Sequence, residues 1–222
     1  DPMRDNLQPL IKELRELLSL GGPIVITQLL QVSYGFVAMI MMGRVGTLEL
    51  AAIGLGTSLW VMVFLATLGM LMVVSPVVAR QFGAKHAAEI RGTFQQGLWL
   101  SSMVALCSWW MMRHVGAVMS VMSVEAAVIP LVEDYLQITS WGMPSVCLYF
   151  VCRFLCEGTG NARPMMLIQL VVLPINILLS WILIFGKFGF PVLAVNGAAL
   201  AGTISLWLTA GLLLIYVATA GR

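Results

Sequence analysis

The chain has 222 residues, of which 60 per cent are hydrophobic and only 10 per cent are charged, and its formal net charge is +2. An ordinary soluble domain carries about 25 per cent charged residues, so a soluble fold of this size would leave much apolar surface in water. The small net charge gives no indication of nucleic-acid binding. The composition therefore predicts a protein that crosses a membrane several times.

Residues 1–18 predict an amphipathic helix that lies along the cytoplasmic interface of the membrane. Its apolar face carries Leu7, Leu10, Ile11, Leu14, Leu17 and Leu18, and its polar face carries Lys12, Glu13, Arg15 and Glu16. A secretory signal peptide has an apolar central region instead, so this charged segment does not resemble one. We expect it to precede the first membrane span.

Six long apolar stretches follow, at residues 19–42, 52–79, 92–112, 130–156, 165–186 and 195–219. A helix needs roughly 20 mostly apolar residues to cross the hydrocarbon core of a bilayer. The strands of a β-barrel would show alternating segments of roughly ten residues, whereas these stretches are continuous. The sequence therefore predicts an all-α polytopic membrane protein, with one domain of six transmembrane helices over residues 19–219.

Basic residues are distributed unevenly between the two sides of this predicted topology. If the spans alternate in direction, nine of the twelve lysines and arginines fall on the side that carries both chain ends. The side richer in lysine and arginine is normally cytoplasmic. We therefore expect both termini in the cytoplasm.

The residue types that usually carry catalysis or metal binding are sparse. The four cysteines and two histidines show no ligand spacing, and the sequence contains no HExxH, GxSxG or phosphate-loop pattern. We expect neither a metal nor an organic cofactor, and we expect no enzymatic activity.

Polar side chains inside three of the spans are the candidate binding residues. On the first span, Thr27, Gln31, Tyr34 and Ala38 follow at spacings of four, three and four. Such spacings place side chains on one helical face. The predicted lining of a shared cavity is Gln31, Tyr34, Gln169, Asn176, Ser180 and Thr203. The alternative is that these groups only join helices through hydrogen bonds, which contribute about 0.6 kcal/mol each.

Charged residues inside the spans are scarce, and Arg153 and Glu157 are the main pair. They lie one turn apart near the cytoplasmic end of the fourth span, so we expect them to pair and to extend toward the headgroups. A structural ion pair is the simplest interpretation, because an end position costs far less than the bilayer centre.

Several short segments, taken together, carry a resemblance to a known family. They are YGFV at residues 34–37, MGRVG at 42–46, PVVARQFGA at 76–84, EGTGNARPM at 157–165 and GAALA at 197–201. In their order and spacing, over residues 19–219, they resemble the multidrug and toxic compound extrusion (MATE) transporters of the NorM type.

This resemblance implies two six-helix lobes around a central cavity, with the present chain as the amino-terminal lobe. It implies antiport of cationic or amphipathic compounds against Na⁺ or H⁺ by alternating access. The implied partners are a carboxy-terminal six-helix lobe on the same polypeptide or a second chain, the lipid bilayer and the small substrates. The implied location is a bacterial inner membrane. A lipid or glycolipid flippase of the same superfamily and a non-transporting scaffold remain as alternatives.

The chain departs from the family at two positions where relatives carry a cation-binding carboxylate. These positions are Ala38 in the first span and Ser180 in the fifth. Neither side chain can act as an intramembrane carboxylate. Asn176 is left as a weak cation ligand, since hard cations accept amide carbonyl oxygens. We therefore expect coupling through acidic residues of the missing lobe, or an altered coupling.

Overall fold

The computed structural model describes residues 2–114, 119, 127–189 and 191–220, and for residues 2–20, 87 and 220 it describes only the backbone. Within these ranges the secondary structure is helical and contains no β-strand, which confirms the all-α prediction. The α-helices are α1 (Pro2–Met42), α2 (Thr47–Leu71), α3 (Val74–Gly83), α4 (Ala87–Arg113), α5 (Ile129–Ser140), α6 (Met143–Gly158), α7 (Arg163–Phe185) and α8 (Ala194–Ala220).

Helix α1 joins the predicted interfacial segment and the first span into one uninterrupted helix of 41 residues. At 1.5 Å per residue it is about 60 Å long, roughly twice the thickness of the hydrocarbon core. Its apolar part, Gly21–Met42, is long enough to cross that core by itself. The predicted amphipathic face of residues 1–18 lies outside the described side chains.

Length and composition identify four segments of the described chain that can each cross a bilayer. They are Gly21–Met42, Thr47–Gly83, Arg163–Phe185 and Ala194–Thr219. The second of these includes α2 and α3, which meet at a short turn instead of forming one straight helix over residues 52–79. The bent pair of α5 and α6 makes a fifth candidate.

The predicted fourth span over residues 130–156 consists of two helices in the structure. Helices α5 and α6 meet at 47° across Trp141 and Gly142. Pro144 lies in the first turn of α6, where its missing N–H and its ring prevent a helical bond to the carbonyl of Ser140. The fourth span is therefore a broken one.

Helix α4 fits the predicted third span in length but not in apolarity. It has 27 residues, about 40 Å at the α-helical rise, yet it does not belong to the segments that are apolar enough to cross a bilayer alone. Gln95 and Gln96 near its middle, together with three serines, explain this lower hydropathy.

Helix α6 lies at the centre of the bundle, where most of its side chains are buried. It packs against α2, α3, α4 and α8, and Phe150 at its middle is fully buried. Gly158 lets its last turn approach α3 closely, because a Cβ at this position would lie 2.8 Å from the Cβ of Val78. Polar groups on α6 are thereby held in fixed positions.

Helix α7 packs mainly on α1 and α8. Pro164 occupies its first turn, where no helical N–H bond is required. Gly186 ends it in a left-handed conformation with φ of 63°, as glycine does most readily. These signals fix the register of the polar residues along α7.

Candidate functional site

The two faces of α1 differ sharply in polarity and in exposure. The outer face consists of Val25, Leu29, Val32, Phe36 and Ile40, each more than half exposed. The opposite face carries Thr27, Gln31 and Tyr34 and is turned toward the bundle. Thr27 is buried and donates to its own helix, at the carbonyl of Pro23. The polar face predicted for the first span therefore points inward.

Three of the predicted lining residues come together around Tyr149 of α6. The Tyr34 hydroxyl donates to Oε1 of Gln169 on α7 at 2.8 Å. Nε2 of Gln31, which lies one turn before Tyr34 on α1, makes a longer contact of 3.4 Å with the Tyr149 hydroxyl. Helices α1, α6 and α7 thus share one polar cluster, which we call the Tyr149 cluster: Gln31, Tyr34, Tyr149 and Gln169.

Arg153 and Glu157 extend this cluster along the same helix. Nε of Arg153 donates to Oε1 of Glu157 at 2.7 Å, which confirms the predicted ion pair. Nη1 of Arg153 donates to Oε1 of Gln28 on α1 at 3.1 Å. The Arg153 side chain is only 8 per cent exposed. The expected extension of the pair toward the headgroups stays a prediction.

The other three predicted residues lie in helix contacts. Nδ2 of Asn176 donates to Oγ of Ser205 at 2.9 Å and to the carbonyl of Ala201 at 3.3 Å, both on α8. Ser180 is buried one turn further along α7. Thr203 makes a long contact of 3.5 Å with the carbonyl of Ile138 on α5. The structure therefore does not gather all six residues at one place.

The contact of Thr203 belongs to the break in the fourth span. One turn further along α8, Nε1 of Trp207 donates to the carbonyl of Trp141 at 3.0 Å. A break leaves backbone carbonyls without helical partners, and such groups are costly in a membrane. Helix α8 therefore supplies side-chain donors to the broken region.

The two positions at which the resemblance implies a carboxylate, Ala38 and Ser180, have different surroundings. Ala38 packs at the edge of an apolar cluster that includes Met42 and Ile53. Ser180 is buried on the face of α7 that carries Asn176. No group of three or more His, Cys, Asp or Glu side chains with metal-binding geometry occurs in the part of the chain described above.

Two members of the polar network, Gln28 and Tyr149, are not among the predicted lining residues. Tyr149 precedes Arg153 and Glu157 at spacings of four, so helical periodicity would have placed all three on one face of α6. Gln28 lies three residues before Gln31, next to the predicted polar face. An isolated tyrosine in an apolar stretch gives little indication of its partners.

The MatE family model matches residues 23–182. The chain is 35 per cent identical over 210 residues to a probable multidrug resistance protein NorM of Idiomarina loihiensis, covering 95 per cent of this chain and 46 per cent of that protein. It is 35 per cent identical over 218 residues to the multidrug resistance protein MdtK of Edwardsiella ictaluri, covering 96 per cent of this chain and 47 per cent of that protein. The chain thus spans about half the length of these relatives.

Solved structures share the fold over nearly the whole chain. A MATE protein in the bent conformation superposes with a TM-score of 0.82 at 24 per cent identity, over 91 per cent of this chain and 44 per cent of that one. The eukaryotic MATE transporter AtDTX14 superposes with a TM-score of 0.87 at 20 per cent identity, over 94 per cent of this chain and 46 per cent of that one. With the family match over most of its residues, the chain belongs to the MatE family of multi-pass membrane transporters and corresponds to about half of a full-length member.

Proposed function

We propose that this chain is one lobe of a secondary active multidrug exporter, in which a gradient of Na⁺ or H⁺ drives the export of cationic or amphipathic compounds. The observation that carries the proposal is the Tyr149 cluster, where polar groups of α1, α6 and α7 meet inside a MatE-family bundle. The names of the relatives, multidrug resistance proteins NorM and MdtK, point in the same direction.

The chemistry of the Tyr149 cluster suits broad recognition of such compounds. Tyr34, which is only partly buried, offers a ring face to flat or cationic solutes, an attraction of roughly 0.5 to 2 kcal/mol. The side chains of Gln31 and Gln169 both donate and accept hydrogen bonds. The proposed cavity thus carries uncharged polar groups, and these groups can bind substrates of different shapes.

A second lobe completes the proposed transporter. The outer face of α1 is apolar and largely exposed in this chain, and the relatives are about twice as long. In repeat-built transporters the substrate path lies between repeats, and access alternates as one repeat moves against the other. We place both termini of this chain in the cytoplasm and the exporter in a bacterial inner membrane.

Asn176, Ser180 and Thr203 have a supporting role in this proposal. Asn176 joins α7 to α8, Thr203 contacts the broken span, and Ser180 is buried beside Asn176 on α7; in this proposal they keep the Tyr149 cluster in place. A cation at Asn176 would be bound through its amide oxygen, because the amide nitrogen already donates to α8.

Efflux of ethidium from cells that lack their own exporters tests the proposal, using the complete native polypeptide. Gln169→Leu removes the acceptor for Tyr34 at nearly constant volume, and we expect it to lower the efflux rate about tenfold, equivalent to about 1.4 kcal/mol. Ser58→Ala is the control, because exposed Ser58 bonds only to its own helix at Gly54. A complete wild-type protein that leaves ethidium accumulation unchanged would show that the chain is not part of such an exporter, as expected for a scaffold.

A further inference from the structure

The guanidinium group of Arg153 lies between two side-chain oxygens from different helices. It donates to Oε1 of Glu157 on α6 at 2.7 Å and to Oε1 of Gln28 on α1 at 3.1 Å. A carboxylate and an amide carbonyl are oxygen ligands of the kind that bind cations in proteins. Here the bound cation is the guanidinium group of the chain's own Arg153.

The burial of this pair gives the guanidinium a specific electrostatic role. The side chains of Arg153 and Glu157 are only 8 and 16 per cent exposed. A carboxylate buried to this extent needs a counter-charge, since an uncompensated buried charge is strongly destabilising. The contact of His86 with Glu89, which is ionic only when the imidazole is protonated, is well exposed. Arg153 therefore occupies the position that another cation would take beside Glu157.

Resting on the function proposed above, we infer that Arg153 is a tethered counter-cation, which a transported organic monocation displaces from Glu157 and Gln28. Glu157 then supplies the negative charge that Ala38 and Ser180 do not supply in this lobe. Gln28 is exposed and Glu157 retains some exposure, so the pair is reached from the surface of the bundle. Tyr149, one turn before Arg153 on α6, connects this position to Gln31.

This arrangement predicts opposite effects for the two charged side chains. Removing the charge of Arg153 takes away the competitor and leaves a carboxylate without a counter-charge, so a monocation binds more tightly. Removing the charge of Glu157 takes away the attraction and leaves the guanidinium as a repulsive neighbour, so a monocation binds more weakly. A purely structural ion pair behaves differently, because loss of either partner disturbs the same helix contact and changes binding in the same direction.

The experiment is equilibrium binding of tetraphenylphosphonium to the complete native polypeptide, purified in detergent. We expect Arg153→Gln to lower the Kd about tenfold and Glu157→Gln to raise it about tenfold, each equivalent to about 1.4 kcal/mol. The double variant lacks both the attraction and the repulsion, so its Kd is expected to lie between those of the two single variants. Arg163→Gln is the matched control, because Arg163 is exposed at the start of α7. The Kd of this variant for tetraphenylphosphonium is expected to equal that of the wild type.

The outcomes separate the inference from the proposed function. A wild-type protein that neither binds nor exports tetraphenylphosphonium contradicts the proposed function, and the inference with it. A wild type that binds, together with single variants that both weaken binding or both leave it unchanged, overturns the inference alone. If Arg153→Gln does not elute as a monodisperse protein, Arg153→Lys replaces it. Lysine keeps the charge but loses the forked geometry, so about threefold tighter binding is expected, and equal or weaker binding overturns the inference.

Discussion

The Tyr34 hydroxyl on α1 donates a hydrogen bond of 2.8 Å to Oε1 of Gln169 on α7, between residues 135 positions apart in the chain. Over Gly21–Met42, helix α1 is otherwise sparsely buried, with few of its side chains enclosed by the bundle. This bond and the contacts of Gln28 and Gln31 are therefore a large part of what fixes the rotation of α1 about its axis. They keep its polar side inward and its apolar side outward.

Tyr34→Phe removes this bond while keeping the ring. We expect it to lower the free energy of unfolding by about 1 kcal/mol, the typical net contribution of one hydrogen bond, and to slow ethidium efflux. Thermal unfolding of the detergent-solubilised protein and efflux from cells are the measurements. Tyr216→Phe is the matched control, because the Tyr216 hydroxyl accepts only an exposed bond, from Asn161. Equal effects of both variants would contradict a special role for Tyr34.

Helical periodicity was sufficient to predict which side of α1 is polar, because a spacing of three or four residues specifies a face whatever packs against it. The partner of that face depends on tertiary packing, which pattern alone does not contain. Spacing alone predicts a cavity-lining role for Asn176 and Thr203 and leaves open their bonds to neighbouring helices. The same spacing predicts the pair of Arg153 with Glu157, but the bond of Arg153 to Gln28 on α1 is not visible in the sequence.

The break in the fourth span shows a second kind of feature that the sequence alone does not predict. Pro144 and Gly142 are both local signals for a helix end, yet the apolar composition around them favoured one continuous span. Whether a proline breaks a transmembrane helix depends on whether neighbours can satisfy the freed carbonyls. Here Trp207 on α8 does so at the carbonyl of Trp141, and that contact is not visible in the sequence.

Trp207→Phe tests this stabilisation of the break. The substitution keeps an aromatic ring but removes the donor, so the Trp141 carbonyl loses its partner. We expect a loss of about 1 to 2 kcal/mol in the free energy of unfolding, since an unsatisfied carbonyl costs most where water is excluded. Trp99→Phe is the control, because Trp99 is 76 per cent exposed on α4. Thermal unfolding curves that coincide for the two variants would argue against the role of Trp207.

Labelling of single cysteines measures whether water reaches the Tyr149 cluster and the contact between α7 and α8. The four native cysteines are first replaced, and single cysteines are then introduced at positions 34, 176 and 192. We expect a membrane-impermeant maleimide to label position 192, which is exposed between α7 and α8, and to label position 34 more slowly. Position 176 is buried against Ser205 and is expected to stay unlabelled. Rapid labelling there would mean that the contact between α7 and α8 opens to water.

Ala38 provides a test of ion coupling in this lobe. Introducing Ala38→Asp places a carboxylate on the inner face of α1, at an insertion cost of about 2.5 to 3.5 kcal/mol that a bound cation or proton offsets. We expect the complete protein with this substitution to gain a dependence of transport on Na⁺ or on pH, measured in proteoliposomes with imposed gradients. Ala38→Asn is the matched control, because it has nearly the same shape and no ionisable group. If Ala38→Asp and Ala38→Asn show the same ion and pH dependence as the wild type, this face of α1 does not bind the coupling cation.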